Sequence, residues 1–118
     1  MNLNFFNYFT IFLIIKNFYF MDLPTTILIN NSLAVIANIN NVELGSILYV
    51  FSEEGEPHKY EVIKRGKASF IVAELMNDKK IEIDKTFRFS YDSPQYAKIN
   101  GFHCYVIRKT KSVTYSNK

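Results

Sequence analysis

Apolar and polar residues alternate along most of the chain, and most plainly between residues 81 and 91. Ile81, Ile83, Phe87, Phe89 and Tyr91 fall on one parity, while Glu82, Asp84, Thr86, Arg88 and Ser90 fall on the other. Successive side chains of a strand point to opposite faces, so this run predicts a long strand with one side buried. Lys85 sits in the apolar register, which predicts a bulge or bend that divides the run in two. Three further strands are expected from β-branched and aromatic content: 46–52 (SILYVFS), 59–65 (KYEVIKR) and 68–76 (ASFIVAELM). Arg65-Gly66-Lys67 is short enough to join the last two as an antiparallel hairpin. Asn77-Asp78-Lys79 is a second hairpin turn, built from residues that tolerate left-handed backbone. Glu53 to Pro57 reads as a loop punctuated by Gly and Pro. The segment 101–110 (GFHCYVIRKT) is the last expected strand, and 93–100, with Pro94, is an irregular crossing or a single helical turn. Between Thr25 and Ile39, two apolar runs flank Asn30-Asn31-Ser32. That pattern suits a hairpin, and a short helix over 32–39 capped by Ser32 competes with it.

Several short strands with turns between them, and no helical period, predict an all-β barrel or sandwich. The run Val42-Glu43-Leu44-Gly45-Ser46-Ile47-Leu48-Tyr49-Val50 is followed by Tyr60-Glu61-Val62-Ile63-Lys64 and Phe70-Ile71-Val72-Ala73-Glu74. Over about residues 42–90 this resembles the opening strands of small Src-homology-type barrels of the KOW and Tudor kind, as in short phage-encoded proteins. The resemblance implies a small, strongly bent five-stranded barrel, here with an extra N-terminal hairpin. It also implies binding to nucleic acid, peptides or ribosomal and polymerase surfaces, without choosing among them.

Composition divides the chain at Met21. Of residues 2–20 (NLNFFNYFTIFLIIKNFYF), 18 of 19 are Phe, Leu, Ile, Asn, Lys or Tyr, the residues whose codons A and T alone can spell; from 22 to 118 the same six make 46 of 97. Residues 1–20 are therefore read as a spurious N-terminal extension translated from an AT-rich genome, with Met21 as the initiator. The alternative is a membrane anchor. A crossing helix needs about 20 predominantly apolar residues, and the run from Phe5 to Ile15 is shorter and carries Asn7 and Thr10. A secretory signal is a poor match: the only charge, Lys16, comes late and no small-residue cleavage site follows.

Residues 21–110 then form one small domain, and 111–118 a mobile basic tail. The whole chain carries a formal charge of +3; without Lys16 it holds 13 basic and 11 acidic residues. The single cysteine, Cys104, excludes an internal disulfide and a cysteine-rich zinc site. A reducing, cytoplasmic setting fits that count.

Catalytic motifs are absent: four scattered glycines make no phosphate loop, and no nucleophile elbow or paired-histidine motif occurs. Glu74, Glu82 and Asp84 could face one another across strands, although a solvated sheet face explains them more simply. His103 and Cys104 are adjacent on a strand and so cannot converge on one ion. No catalytic residue, metal site or cofactor is expected. Nucleic-acid binding would use Lys64, Arg65, Lys67, Arg108, Lys109 and Lys111, provided that the turn at Gly66 and the end of the last strand share one side. Protein contact would use Tyr60, Tyr96, Tyr105 and Tyr115, since tyrosine is favoured at interfaces. The expectation is a non-enzymatic binding module, of phage or mobile-element type, that contacts a host protein or ribonucleoprotein. A nucleic-acid-binding barrel and a membrane-anchored domain are the two alternatives.

Overall fold

The computed structural model describes residues 25–51 and 56–108. The expectations for residues 1–20, most of the acidic loop at 53–57, and the basic tail lie outside the described residues. Nine strands follow in order: β1 (Thr26–Ile29), β2 (Ser32–Ile36), β3 (Ile47–Val50), β4 (His58–Arg65), β5 (Ser69–Met76), β6 (Lys79–Arg88), β7 (Lys98–Ile99), β8 (Phe102–His103) and β9 (Tyr105–Ile107). Seven of them form one antiparallel sheet in the order β1-β2-β9-β3-β4-β5-β6, and β7 and β8 pair as a separate hairpin. The all-β expectation and the N-terminal hairpin hold. Closure into a five-stranded barrel is not found among the described residues: β1 hydrogen-bonds only to β2 and β6 only to β5, so the sheet has two edges.

Turn chemistry sets the hairpins. Asn30 and Asn31 have φ of 50° and 64°, and Asn77 and Asp78 have 51° and 63°. Asn and Asp accept this left-handed backbone, which two-residue hairpins need to match strand twist. The first pair fixes Ile29 opposite Ser32, and the helix that competed for 32–39 does not form. Asn100 and Gly101 repeat the device between β7 and β8. There the expected strand at 101–110 divides. Gly101 lies in the turn, β8 pairs with β7, and β9 leaves to join the main sheet between β2 and β3. Cys104 is the crossing point: its N–H donates to the Ala97 carbonyl and its carbonyl accepts from the Ala37 N–H.

The sheet is apolar on both faces. On one, Leu48, Val50, Tyr60, Val62, Phe70, Val72, Phe87 and Val106 pack with Ala37, Val42, Phe89, Ala97, Ile99 and Cys104 from the segments that fold over it. Phe70 anchors this cluster, 5.8 Å from Phe87 and 5.0 Å from Phe89 between ring centroids. Truncating such a ring to alanine costs about 3–5 kcal/mol. On the opposite face, Ile27, Ile29, Ala34, Tyr49, Phe51 and Tyr105 form a second cluster, with Phe51 edge-on to Tyr105 at 5.7 Å.

The alternation at 81–91 is only partly converted into burial. Phe87 and Phe89 are buried and Ile83 is half-buried, but Ile81 is 48% exposed and Tyr91 94%. Ile81 lies opposite Glu74, where the β5–β6 hairpin has run past the aromatic cluster; Tyr91 lies beyond the strand in an irregular turn. The bulge expected at Lys85 is present. Val72 of β5 faces three residues of β6, Ile83 to Lys85, between the Ile71–Thr86 and Ala73–Glu82 pairs. β6 nevertheless continues as one strand through it. A slip of two preserves side-chain parity, so the faces are not exchanged. Lys85 keeps the parity of the apolar residues but is exposed, with its amine 5.1 Å from the Phe87 ring centre.

Arg65 ties the loop before β3 to the sheet. Its Nε donates to the Val42 carbonyl at 2.9 Å and its Nη2 to the Ile39 carbonyl at 2.8 Å; Nη1 donates to the Gly66 carbonyl. The guanidinium also stacks 4.5 Å from the centre of Phe89. Arg65→Ala is expected to cost about 2–4 kcal/mol, from two charge-assisted hydrogen bonds and the stacking. Arg65→Lys should recover less than half, because an ammonium cannot reproduce the planar fork. Urea unfolding midpoints of the three proteins check both expectations.

Candidate nucleic-acid interface

Strand direction decides where the basic residues meet. β3 is antiparallel to both β4 and β9, and β5 is antiparallel to both β4 and β6. Strands β4, β6 and β9 therefore run the same way and end at one end of the sheet. β4 ends in Lys64 and Arg65, β6 ends in Arg88, and Arg108 directly follows β9. Lys67 lies in the turn from β4 to β5 at the same end. Neighbouring strands lie about 4.8 Å apart, so the rim from Arg88 to Arg108 spans about 19 Å. Lys64, Lys67, Arg88 and Arg108 are exposed.

The bulge between Val62 and Lys64 sets the two neighbours on β4 to different work. Lys64 pairs with Ile71, away from the main aromatic cluster, whereas Arg65 pairs with Phe70 and turns toward it. Arg65 is thereby committed to backbone carbonyls and the Phe89 ring, while Lys64 stays free for solvent. Lys109 and Lys111 lie outside the described residues. Two acids adjoin the rim: Glu43 is in the loop before β3, and Asp92 follows β6, where its Oδ2 lies 3.5 Å from Lys98 Nζ.

Arg88 joins the rim only through the register. A turn centred on Asn77-Asp78 places Met76 opposite Lys79, and the two-residue slip at the bulge then puts Ser69 opposite Arg88. Arg88, between Phe87 and Phe89, is a basic candidate in the sequence, and the turn and Lys85 together give the register that makes it a neighbour of Lys67. Tyr91, the most exposed large side chain here, follows at the same end.

The tyrosines expected at a protein interface are placed otherwise. Tyr60 and Tyr105 are buried, one in each cluster, because each occupies an inward parity on a central strand. Tyr96 is half-buried, bridged to Asn38 and edge-on to His103 at 5.1 Å, and Tyr115 lies outside the described residues. Burial raises the Tyr49, Tyr60 and Tyr105 hydroxyls above the usual phenol range; at Tyr60 the neighbouring Glu74 and Cys104 push the same way.

The opposite end of the sheet carries a cleft of about 510 Å³. Ile47, Tyr49 and Leu75 contribute apolar wall, while Glu56, Glu74 and Asp78 give it acidic character. His58 Nδ1 lies 3.5 Å from Glu74 Oε2. Among the described residues no three His, Cys, Asp or Glu side chains are grouped to hold a metal ion. The carboxylates do not assemble either: Glu74 faces Ile81 on one side of the sheet, and Glu82 faces Ala73 on the other. Burial pushes the Cys104 thiol up to about 12, partly opposed by a backbone hydrogen bond at Ile99, which leaves it a poor nucleophile. No helix among the described residues is long and apolar enough to cross a membrane.

No protein-family model, no curated protein and no solved structure matches the chain.

His103 gives a measurable pH dependence. Its Nδ1 is buried with no hydrogen-bond partner in the structure. Burial lowers its pKa below 6.5, Lys98 lowers it further, and Asp92 opposes them. The unfolded chain therefore takes up a proton near pH 6.5 that the folded chain refuses. Stability should fall as pH drops from about 6.5 toward the lowered native value, and should not depend on this group above that window. His103→Gln is expected to flatten the decline in urea midpoint between about pH 7 and pH 5. Parallel titrations of the two proteins check it.

Proposed function

We propose that the protein is a non-enzymatic binding module whose basic rim engages the phosphate backbone of a nucleic acid. The carrying observation is that three co-directional strands bring Lys64, Arg88 and Arg108 to one end of the sheet, beside Lys67. Phosphate neutralisation by such side chains supplies most non-specific affinity. Exposed Tyr91 offers a ring on which an unpaired base can stack, a contact that tolerates any sequence. Addition of a partner strand is poorly served by β6, whose edge carries Lys79, Lys80 and Lys85 around a bulge.

A protein partner is the second reading, favoured by the cleft at the other end. There Ile47, Tyr49 and Leu75 would take an apolar side chain, and Glu56 and Asp78 a basic one.

Retention of the full chain on immobilised single-stranded DNA tests the first reading. Affinity should fall steeply with salt. Lys64→Ala, Lys67→Ala and Arg108→Ala should each reduce the logarithmic salt slope by about one and weaken binding to all sequences alike. Tyr91→Ala should weaken binding without changing the slope. Absence of retention at low salt would remove the nucleic-acid reading and leave the cleft as the contact surface.

A further inference from the structure

Two large apolar side chains project into water at the same end of the sheet as the basic rim. Leu44 is 69% exposed and Tyr91 94%. Both are held by hydrogen bonds. Leu44 is at the tip of a turn closed by the Ser46 N–H, which donates to the Glu43 carbonyl at 3.0 Å, and by the Glu43 N–H, which donates to Ser46 Oγ at 2.9 Å. The turn is pinned to β4 by the Gly45 N–H on the Val62 carbonyl at 2.8 Å and by Arg65 Nε on the Val42 carbonyl. Tyr91 lies in a loop closed by the Ser90 N–H on the Tyr96 carbonyl and by the Tyr96 N–H on Ser90 Oγ. The Phe89 N–H donates to the Ala68 carbonyl, which keeps this loop beside the turn from β4 to β5. Strand order then places Arg108, Leu44, Lys64, Lys67, Arg88 and Tyr91 in succession along the rim. Each apolar tip adjoins an exposed acid, since Glu43 precedes Leu44 and Asp92 follows Tyr91.

We propose that the rim selects unpaired nucleic acid over duplex, with Leu44 and Tyr91 contacting base faces and Glu43 and Asp92 disfavouring paired strands. The inference rests on the nucleic-acid reading of the rim. A duplex hides its base faces in the stack and presents phosphates, so both apolar tips would face charge and water. A single strand exposes those faces: the tyrosine ring stacks on one, and the leucine packs against another. Duplex DNA also carries one negative charge per about 1.7 Å of axis, twice the density of one strand, so each rim carboxylate opposes it more strongly. An anionic bilayer would meet the same acids across a continuous negative plane, whereas one strand is narrow enough to follow the cations between them. At about 3.4 Å per nucleotide, a stacked strand of about six nucleotides covers the rim.

Fluorescence anisotropy of the full chain at low salt tests this, with a labelled oligonucleotide of mixed sequence used alone and annealed to its complement. The single strand should bind about tenfold tighter or more. Leu44→Ser and Tyr91→Ala should each remove about fivefold of single-strand affinity and bring the two affinities together. Both side chains are exposed, so neither substitution removes core packing. Glu43→Gln should strengthen duplex binding more than single-strand binding. Duplex binding as tight as single-strand binding would overturn the inference and leave the nucleic-acid reading standing. Absence of binding to both would overturn the two together. Flotation with phosphatidylserine vesicles, without binding to either oligonucleotide, would assign the rim to lipid and likewise overturn both.

Discussion

Burial on both faces of a single sheet is the constraint on which this structure depends. A strand that offers apolar side chains at every position has to be covered twice, and β3 (Ile-Leu-Tyr-Val) and β9 (Tyr-Val-Ile) are such strands. They lie side by side near the middle of the sheet, and both apolar clusters draw residues from them. Leu48 and Val106 turn toward the phenylalanine cluster, while Tyr49 and Tyr105 turn to the other side. β4 and β6 meet a lighter demand, and each carries more polar residues than β5 between them.

The main layer is held by a device that links distant parts of the chain. Asn41 and Asn38 shape the loop before β3 through Asn38 N to Asn41 Oδ1 at 2.8 Å and Asn41 Nδ2 to the Ile36 carbonyl at 3.0 Å. Arg65 then fastens that loop from the far end of β4 while its plane rests on Phe89. Loop, strand end and core ring are thus one mechanical unit, and the exposed lysines are mounted beside it on a rigid support.

Much of this was legible in the chain, for identifiable reasons. Asn30-Asn31 and Asn77-Asp78 announce their turns because few residues adopt left-handed backbone without strain, and Lys85 marks its bulge because an amine does not stay in an aromatic layer. Alternation at Ile81 and Tyr91 misleads because period two reports which face a residue takes, not whether anything lies over that face. The division of 101–110 at Cys104 is hidden for a related reason, since Phe102 to Ile107 keeps an unbroken strand composition across a change of sheet. As for the rim, its members could be named from their clustering, but their convergence follows from strand direction and register. Arg65 could not have been separated from Lys64 without the bulge that sends the two to opposite faces.

The two borders of the sheet are unequal. β6 is long but guarded: a bulge, three lysines and two acids interrupt any regular ladder along it. β1 is Thr-Ile-Leu-Ile, with no charge, no proline and no irregularity in its pairing with β2. Among the described residues, brevity is its one defence. Fibrillar growth or exchange of hairpins between molecules would begin on the β1 side, and a single lysine placed there would give this small protein the protection that its far border already has.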